Sequence, residues 1–447
     1  MERIYPFGGL PKKRLLNESL YNTIVYKADN RNHSSIPKNT MNHKLQGLFE
    51  NSGQAVSYMT GEITKICRGM KKRSPGSEGE REAAGYMADV LGRSCGCADV
   101  SVETFKEHPA SFYGYCRISA VFAVLCCAGF FIHPSVTIVF GAATLILFLV
   151  HFVFYIPVID RFFPEKESVN VTAVRSAAGE TKRRIFLNGH IDAAWEFTLN
   201  YHFGGVVFEI PNILTLSGVI FYTAVGICAA AGAGAWTRTA ALWGLIFLPF
   251  FAAVWFTYNP KQIVDGANDN LTGCYMGIAV LKEMEERGIF LENTEVGVIL
   301  TGSEEAGLRG AKAWSAAHKE DFRDVPTFIL SFDTIHDPRM LGVNEKDLNG
   351  TVKADRILAE AFLKAAAMAQ VPCSRTQVPL FGGSTDSAAF IKGGFRSVCI
   401  TGLNHKLEDY YHTRKDSFDN LNTEGIENCY KAVVRLLELA DEGELDN

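Results

Sequence analysis

Hydrophobic residues in this chain concentrate in two long blocks set inside a more evenly patterned sequence. Residues 118–159 contain no Asp, Glu, Lys or Arg, and His133-Pro134-Ser135 breaks that run as a turn. A second charge-free run covers 210–237, is interrupted by Arg238 and resumes over 239–260. Each half approaches the roughly 17 to 25 residues that a helix needs to cross a bilayer, the piece ending near Ile132 being the shortest. Aromatic residues gather at the ends: Phe152, Phe154 and Tyr155 on the first block, Trp255 and Tyr258 on the second. A membrane interface favours such residues there. The pattern predicts two helical, transmembrane hairpins over 117–159 and 203–260, four helices in all. A pair of core hairpins buried in protein is the competing expectation.

Outside the blocks, strand-like and helix-like periods alternate. Short apolar runs predict strands over 184–188, 296–301, 327–332 and 397–401. Helical patterns fall over 84–91, 273–287, 308–318, 354–369 and 424–440, with the turn Ser74-Pro75-Gly76-Ser77 before the first and Gly288 closing the second. Alternation of this kind implies an α/β fold, a mostly parallel central sheet flanked by helices. One domain would then be assembled from residues 44–116, 160–202 and 261–447, with both hairpins inserted into it. Residues 1–43 have no clear periodicity and are expected to form a poorly ordered N-terminal extension. Lys12, Lys13 and Arg14 precede no apolar core, so the stretch reads as neither signal peptide nor anchor, and Met41 is a candidate start.

Charge adds a partner and an orientation. Lys and Arg number 44 against 49 Asp and Glu, a formal charge of -5, and this balance argues against a nucleic-acid partner. Arg117, Arg161, Lys166 and Lys261 flank the apolar blocks on the side of the polar domain, while the hairpin tips hold His133 and Arg238. By the positive-inside bias the lipid bilayer is a partner and the polar domain faces the cytoplasm. Eleven scattered cysteines suit a reducing compartment better than a disulfide framework.

Chemistry-bearing residues sit where the predicted strands end, the place where such sheets collect their ligands. Strand 184–188 runs into Gly189-His190-Ile191-Asp192. In an extended segment His190 and Asp192 share a face, so the carboxylate can orient the ring. Asp269 lies in Asp265-Gly266-Ala267-Asn268-Asp269-Asn270, before a helix that it would otherwise cap. Strand 296–301 leads to Gly302-Ser303-Glu304-Glu305, two adjacent acids that a solvated turn or a shared cation would explain. Strand 327–332 delivers Asp333, and Tyr411-His412-Thr413 precedes Asp416. Singly, each has an ordinary structural explanation. Together His190, Asp269, Glu305, Asp333 and His412 supply imidazole and carboxylate ligands for two zinc ions, with Glu304 left over.

In order along the chain, these blocks resemble the M28 family of zinc aminopeptidases, with Arg73-Ser74-Pro75-Gly76-Ser77 as an upstream landmark. The resemblance covers residues from about 45 to 440, apart from the hairpins. It implies a zinc-exopeptidase-like fold and a co-catalytic pair of Zn2+ ions. His190 and Asp333 would hold one ion, Glu305 and His412 the other, and Asp269 would bridge them. Glu304 would be the general base, and Tyr411 would help stabilise the tetrahedral intermediate. The implied activity is that of a metallo-aminopeptidase acting on short peptides. Alternatives are a non-catalytic scaffold of the same fold, a glutaminyl cyclase or a carboxypeptidase. The chain departs from the family by inserting the second hairpin between His190 and Asp269. It departs again at Gly382-Gly383-Ser384-Thr385-Asp386-Ser387, where Asp386 reads equally as a pocket residue or a helix cap.

Other chemistries lack their motifs. No Gly-x-Ser-x-Gly elbow surrounds Ser384 or Ser387, and Cys95-Gly96-Cys97 lacks a second ligand pair. Neither phosphate-binding glycine motif is present. A transporter is disfavoured because only His133 and His151 are ionisable within the charge-free runs.

Overall fold

A computed structural model of the chain describes residues 43–404 and 408–446. All but the last residue of the expected N-terminal extension lies outside the described residues. The chain opens with helices α1 (His43–Glu50), α2 (Ser52–Gly69) and α3 (Glu78–Ser94). Strand β1 (Asp99–Glu107) leads into the apolar helices α4 (Ala110–Gly129) and α5 (Pro134–Leu147), the latter continuing as a π-helical turn over Phe148–Val153. Strands β2 (Lys166–Arg175), β3 (Arg183–His190) and β4 (Trp195–Glu196) follow. A second apolar group comprises α6 (Thr198–Phe203), α7 (Gly205–Ala230), α8 (Trp236–Gly244) and α9 (Leu248–Ala253), closed by β5 (Asn259–Ile263). Next come α10 (Thr272–Glu286), β6 (Thr294–Thr301), α11 (Arg309–Ala317), β7 (Thr327–Ile335) and the short strands β8 (Leu341–Asn344), β9 (Lys346–Asp347) and β10 (Val352–Lys353). The chain ends with α12 (Arg356–Met368), β11 (Ser374–Thr376), α13 (Asp386–Gly393), β12 (Arg396–Gly402) and α14 (Thr423–Asp441).

Eight strands form one sheet in the order β1-β2-β6-β3-β7-β12-β8-β11. The centre is parallel: β6 with β3, β3 with β7, and β7 with β12. Both flanks turn antiparallel, at β1–β2–β6 and at β12–β8. Every residue of β3 is buried. A strand covered by helices on both faces reads as a continuous apolar run, which is why the central strands could be predicted. The edge strand β1 is largely exposed and alternates polar with apolar residues, so no such run marked it. Helix starts obey local chemistry. Ser77 accepts from the Glu80 amide, Asp355 from Leu358 and Asn422 from Gly425, each filling an orphan donor of a first turn.

Among the described residues, four helices are long and apolar enough to cross a membrane: Ala110–Gly129, Pro134–Val153, Gly205–Ala230 and Trp236–Phe256. Two of them begin before the charge-free runs. They therefore include charged residues that border the charge-free runs, Arg117 in α4 and Glu209 in α7, and Arg238 lies in α8. Arg117 holds its guanidinium over the rings of Trp255 and Tyr258, at 5.5 and 5.1 Å. Small residues let these helices approach closely. A Cβ on Gly141 of α5 would lie 2.0 Å from the Thr223 hydroxyl of α7. Ala123, Cys126, Val219, Tyr222 and Phe251 form the bundle's own buried core.

Candidate metal centre

Five segments meet beyond the carboxyl ends of the central strands. His190 ends β3, and the start of α10 packs closely against the strand there because Gly189 has no side chain. A Cβ on Gly189 would lie 2.4 Å from the backbone of Gly273 and Cys274 at the start of α10. Gly266, at φ +61°, opens the turn that presents Asp269. One buried guanidinium joins these two segments: Arg73 donates through Nε to the Ile191 carbonyl (2.8 Å) and through Nη2 to the Gly266 carbonyl (3.0 Å). Asp416 fixes the next stretch, accepting from the amides of Asn268 (2.8 Å) and Asp269 (3.1 Å). Asn270 then donates to the Phe332 carbonyl at 2.7 Å, beside Asp333.

The Glu304–Glu305 turn is held by acids behind it. Asp192 accepts the Glu304 amide on Oδ1 and the Glu305 amide on Oδ2, both at 3.0 Å. The sequence placed Asp192 as an orienter of the His190 ring. In the structure, His190 Nδ1 lies 3.2 Å from the Asp192 backbone carbonyl and 3.5 Å from its carboxylate. The same carboxylate also holds the two backbone amides of the glutamate turn. Beneath, buried Glu80 accepts from the Ser303 amide (2.8 Å), the Ser303 hydroxyl (3.1 Å) and the Ser168 hydroxyl (2.9 Å). Burial pushes Glu80 well above the usual carboxylate range and Glu107 up to about 7. Replacing Asp192 with Ala leaves two buried amides unpaired, at about 1–3 kcal/mol each. We expect a lower melting temperature and zinc affinity reduced about 10- to 100-fold. Unchanged values for both would show that the carboxylate does not organise the turn.

At the centre, Asp269 faces a histidine with each oxygen: Oδ1 is 3.1 Å from His190 Nε2 and Oδ2 is 3.2 Å from His412 Nε2. His412 Nε2 is also 3.2 Å from Glu305 Oε1. Donor atoms of His190, Asp269 and Asp333 lie within 4.8 Å of one another, and so do those of Asp269, Glu305 and His412. Glu304 and Glu305 form a third such group with His190, though Glu304 is the more distant, at 4.0 Å from His190 Nε2. Thus His190, Asp269, Glu304, Glu305, Asp333 and His412 converge. Tyr411 is adjacent, its ring 4.1 Å from that of His412.

The electrostatics of this cluster call for cations. Burial, then Asp269, raises Asp333 to about 7. Burial raises Glu304 well above its ordinary range; His190 opposes this, and Glu305, Asp386 and Asp333 add to it. Burial would lower His412, but Glu305 and Asp269 carry it up to about 10. Asp269 Oδ1 and Glu305 Oε1 are buried yet accept no hydrogen bond. Carboxylate oxygens without donors beside imidazole nitrogens turned toward them form a donor set suited to zinc. The residues present fit a pair of such ions.

Three supporting residues had no assigned role in the sequence. Arg73 was visible as part of a landmark, and Asp416 as a neighbour of His412, but only the fold shows what they hold. Glu80 carried no signal at all, being one acid among several in a solvated-looking helix. Asp386 does not cap α13: its Oδ2 accepts from the Thr301 hydroxyl at the end of β6, and burial raises it to about 6. A cavity of about 430 Å3 lies over the cluster, with Asp269, Glu304, Glu305, Asp333, Tyr411 and His412 in its wall.

The profile of Peptidase family M28 matches residues 254–437. No curated protein sequence matches the chain. Among solved structures, a zinc aminopeptidase from Bacillus subtilis is similar with a TM-score of 0.52 at 13% identity, covering 86% of this chain and 94% of that one. A leucine aminopeptidase precursor from Bacteroides thetaiotaomicron VPI-5482 gives 0.51 at 11% identity, over 87% and 96% of the two chains. A glutaminyl cyclase from Bacteroides thetaiotaomicron also gives 0.51 at 11%, over 87% and 97%. At such identities the likeness shows a shared zinc-exopeptidase-like fold, and one that carries more than one reaction.

Proposed function

We propose that this chain, whose residues 254–437 match the profile of Peptidase family M28, is a zinc-dependent, membrane-anchored exopeptidase of the aminopeptidase type. The observation that carries the reading is the convergence of five buried or half-buried ligand side chains, Asp269 at their centre, with a sixth acid beside them. His190 and Asp333 would hold one zinc, Glu305 and His412 the other, with Asp269 shared. Such ions supply Lewis acidity, polarising a carbonyl and making water a nucleophile at neutral pH. Glu304, on the cavity wall, accepts the proton of the attacking water and returns it to the departing amine. Tyr411 lines the same cavity and would donate to the substrate carbonyl oxygen.

The membrane reading rests on what the apolar helices expose. Ile132 is 78% exposed, Val206 73%, Trp243 78% and Ile246 70%. Core hairpins would bury these side chains, and an aqueous surface would not tolerate so many together. We therefore place residues 117–159 and 203–260 in the bilayer as hairpins, with the remaining domain on the cytoplasmic side.

The test uses full-length protein extracted with detergent from alkali-washed membranes. It should contain two zinc ions per chain and hydrolyse free-amine dipeptides. Chelation should abolish activity and zinc restore it. Protein that binds no zinc and cleaves no peptide would overturn the proposal. Cyclisation of an N-terminal glutamine without hydrolysis would move the chain to the cyclase reaction.

A further inference from the structure

We infer that this site, read as above, acts on amides whose acyl half carries a long alkyl chain drawn from the bilayer. The cavity over the acids does not end at them. It continues as an arm between the apolar helices, walled from Phe112 to Ser119 on α4 and from Phe208 to Val219 on α7. At 1.5 Å per helical residue, the α7 wall alone is roughly 16 Å long, deeper than any natural side chain reaches.

The arm is also too poor in hydrogen-bonding groups to hold a peptide. Its helical walls use their backbone groups internally. Asn212 donates to the Phe208 carbonyl (3.1 Å) and Thr144 to that of Phe140 (2.8 Å). Beyond the hydroxyls of Ser119 and Thr215, buried without a partner, the polar side chains on these walls are Glu209, Asn212 and the phenols of Tyr113 and Tyr115. A peptide entering the arm would bury a donor and an acceptor per residue against this short set, whereas an alkyl chain has none to satisfy.

Aromatic contact joins the arm to the metal centre. Phe197 lies 4.5 Å from the His412 ring and stacks on Phe208 at 4.6 Å, while its amide donates to the His412 carbonyl at 2.7 Å. The second apolar insertion thus begins against a metal-ligand loop. The outer face of α7 exposes Ile220 and Ile227, at 52% and 53%, neither of which lines the cavity. One helix therefore presents one face to lipid and the other to the arm.

In an aminopeptidase-type reaction the released acyl half is the part held in the pocket. Water adds its oxygen to the acyl carbon, the C–N bond breaks, and the amine leaves with the proton; no oxidant or further reactant is needed. The chain can be that of an N-alkanoyl amide or of a 2-aminoalkanoyl residue, which share the alkyl tail and differ in a free amine.

The experiment assays zinc-loaded, full-length protein in lipid nanodiscs with N-alkanoyl-glycines and 2-aminoalkanoyl-glycines of increasing chain length, and with Leu-Gly. We expect kcat/KM to rise about fourfold per methylene until the arm is filled. Ser119→Leu and Thr215→Leu, which narrow it, should move the optimum to shorter chains. Where a variant folds poorly, a non-cleavable long-chain analogue should raise the melting temperature of the unaltered protein more than a short one. Either substrate series rising with length supports the inference and identifies the tail's source. Cleavage of Leu-Gly with no gain from length overturns it and leaves the peptidase reading intact. Failure on every substrate removes both.

Discussion

Glu304→Gln should lower kcat by about 10^2- to 10^4-fold while leaving zinc content, KM and fold intact. The substitution keeps the shape of the side chain and removes its capacity to take up a proton. Glu304 is the outlying acid of the cluster: its oxygen lies 4.0 Å from His190 Nε2, whereas Asp269 and Glu305 approach the imidazoles at 3.1 and 3.2 Å. Its backbone amide, not its carboxylate, is what ties it to Asp192. A neutral amide at this position also relieves the repulsion between adjacent buried acids, so the melting temperature should stay level or rise. Kinetics on dipeptides, metal analysis and a thermal melt check all three. Retained activity would remove Glu304 as the base. Loss of one zinc together with activity would make it a ligand.

What could be read from the chain before folding depended on how local each signal was. The central strands announce themselves because burial on both faces leaves each a short, mostly apolar run; residues 327–332 lie within β7, which extends to Ile335. Edge strand β1 and its partner β2 have mixed polarity and carry no comparable mark. The apolar helices were legible, but their starts were not. Counting charges excludes Arg117 from α4, yet that residue stays in the helix by laying its cation over Trp255 and Tyr258. At the centre, residue type alone located His190, Asp269, Glu304, Glu305, Asp333 and His412, since few structural needs put acids and imidazoles at so many strand ends. Their supports were invisible for the opposite reason. Arg73 and Glu80 act across more than a hundred residues of chain, by hydrogen bonds to backbone that no motif encodes. The acyl arm was equally hidden, because an apolar helix looks the same whether it faces lipid, protein or substrate.

Asp269→Asn should cost the chain both zinc ions, whereas Asp333→Asn should cost it one. The difference follows from which side chains share an oxygen partner. Asp269 turns one oxygen to His190 and the other to His412, so it belongs to both ligand groups, while Asp333 belongs only to the group containing His190. An asparagine at 269 keeps one oxygen and presents an NH2 to the other side. On that side the amide N–H group meets a protonated imidazole or a cation, and either contact is repulsive. The retained oxygen is a weaker ligand because it no longer carries charge. Zinc titration should therefore show both affinities weakened by at least about 100-fold for Asp269→Asn, and the zinc-dependent rise in melting temperature should shrink with them. Asp333→Asn should retain roughly one ion per chain and part of that rise. Its neutral side chain removes a carboxylate that burial already holds near pH 7, so the metal-free protein should not be destabilised. If Asp269→Asn keeps two tightly bound ions, the shared position is not a bridge. If Asp333→Asn loses both, the two ligand groups are not separable, and a single composite site describes the cluster better.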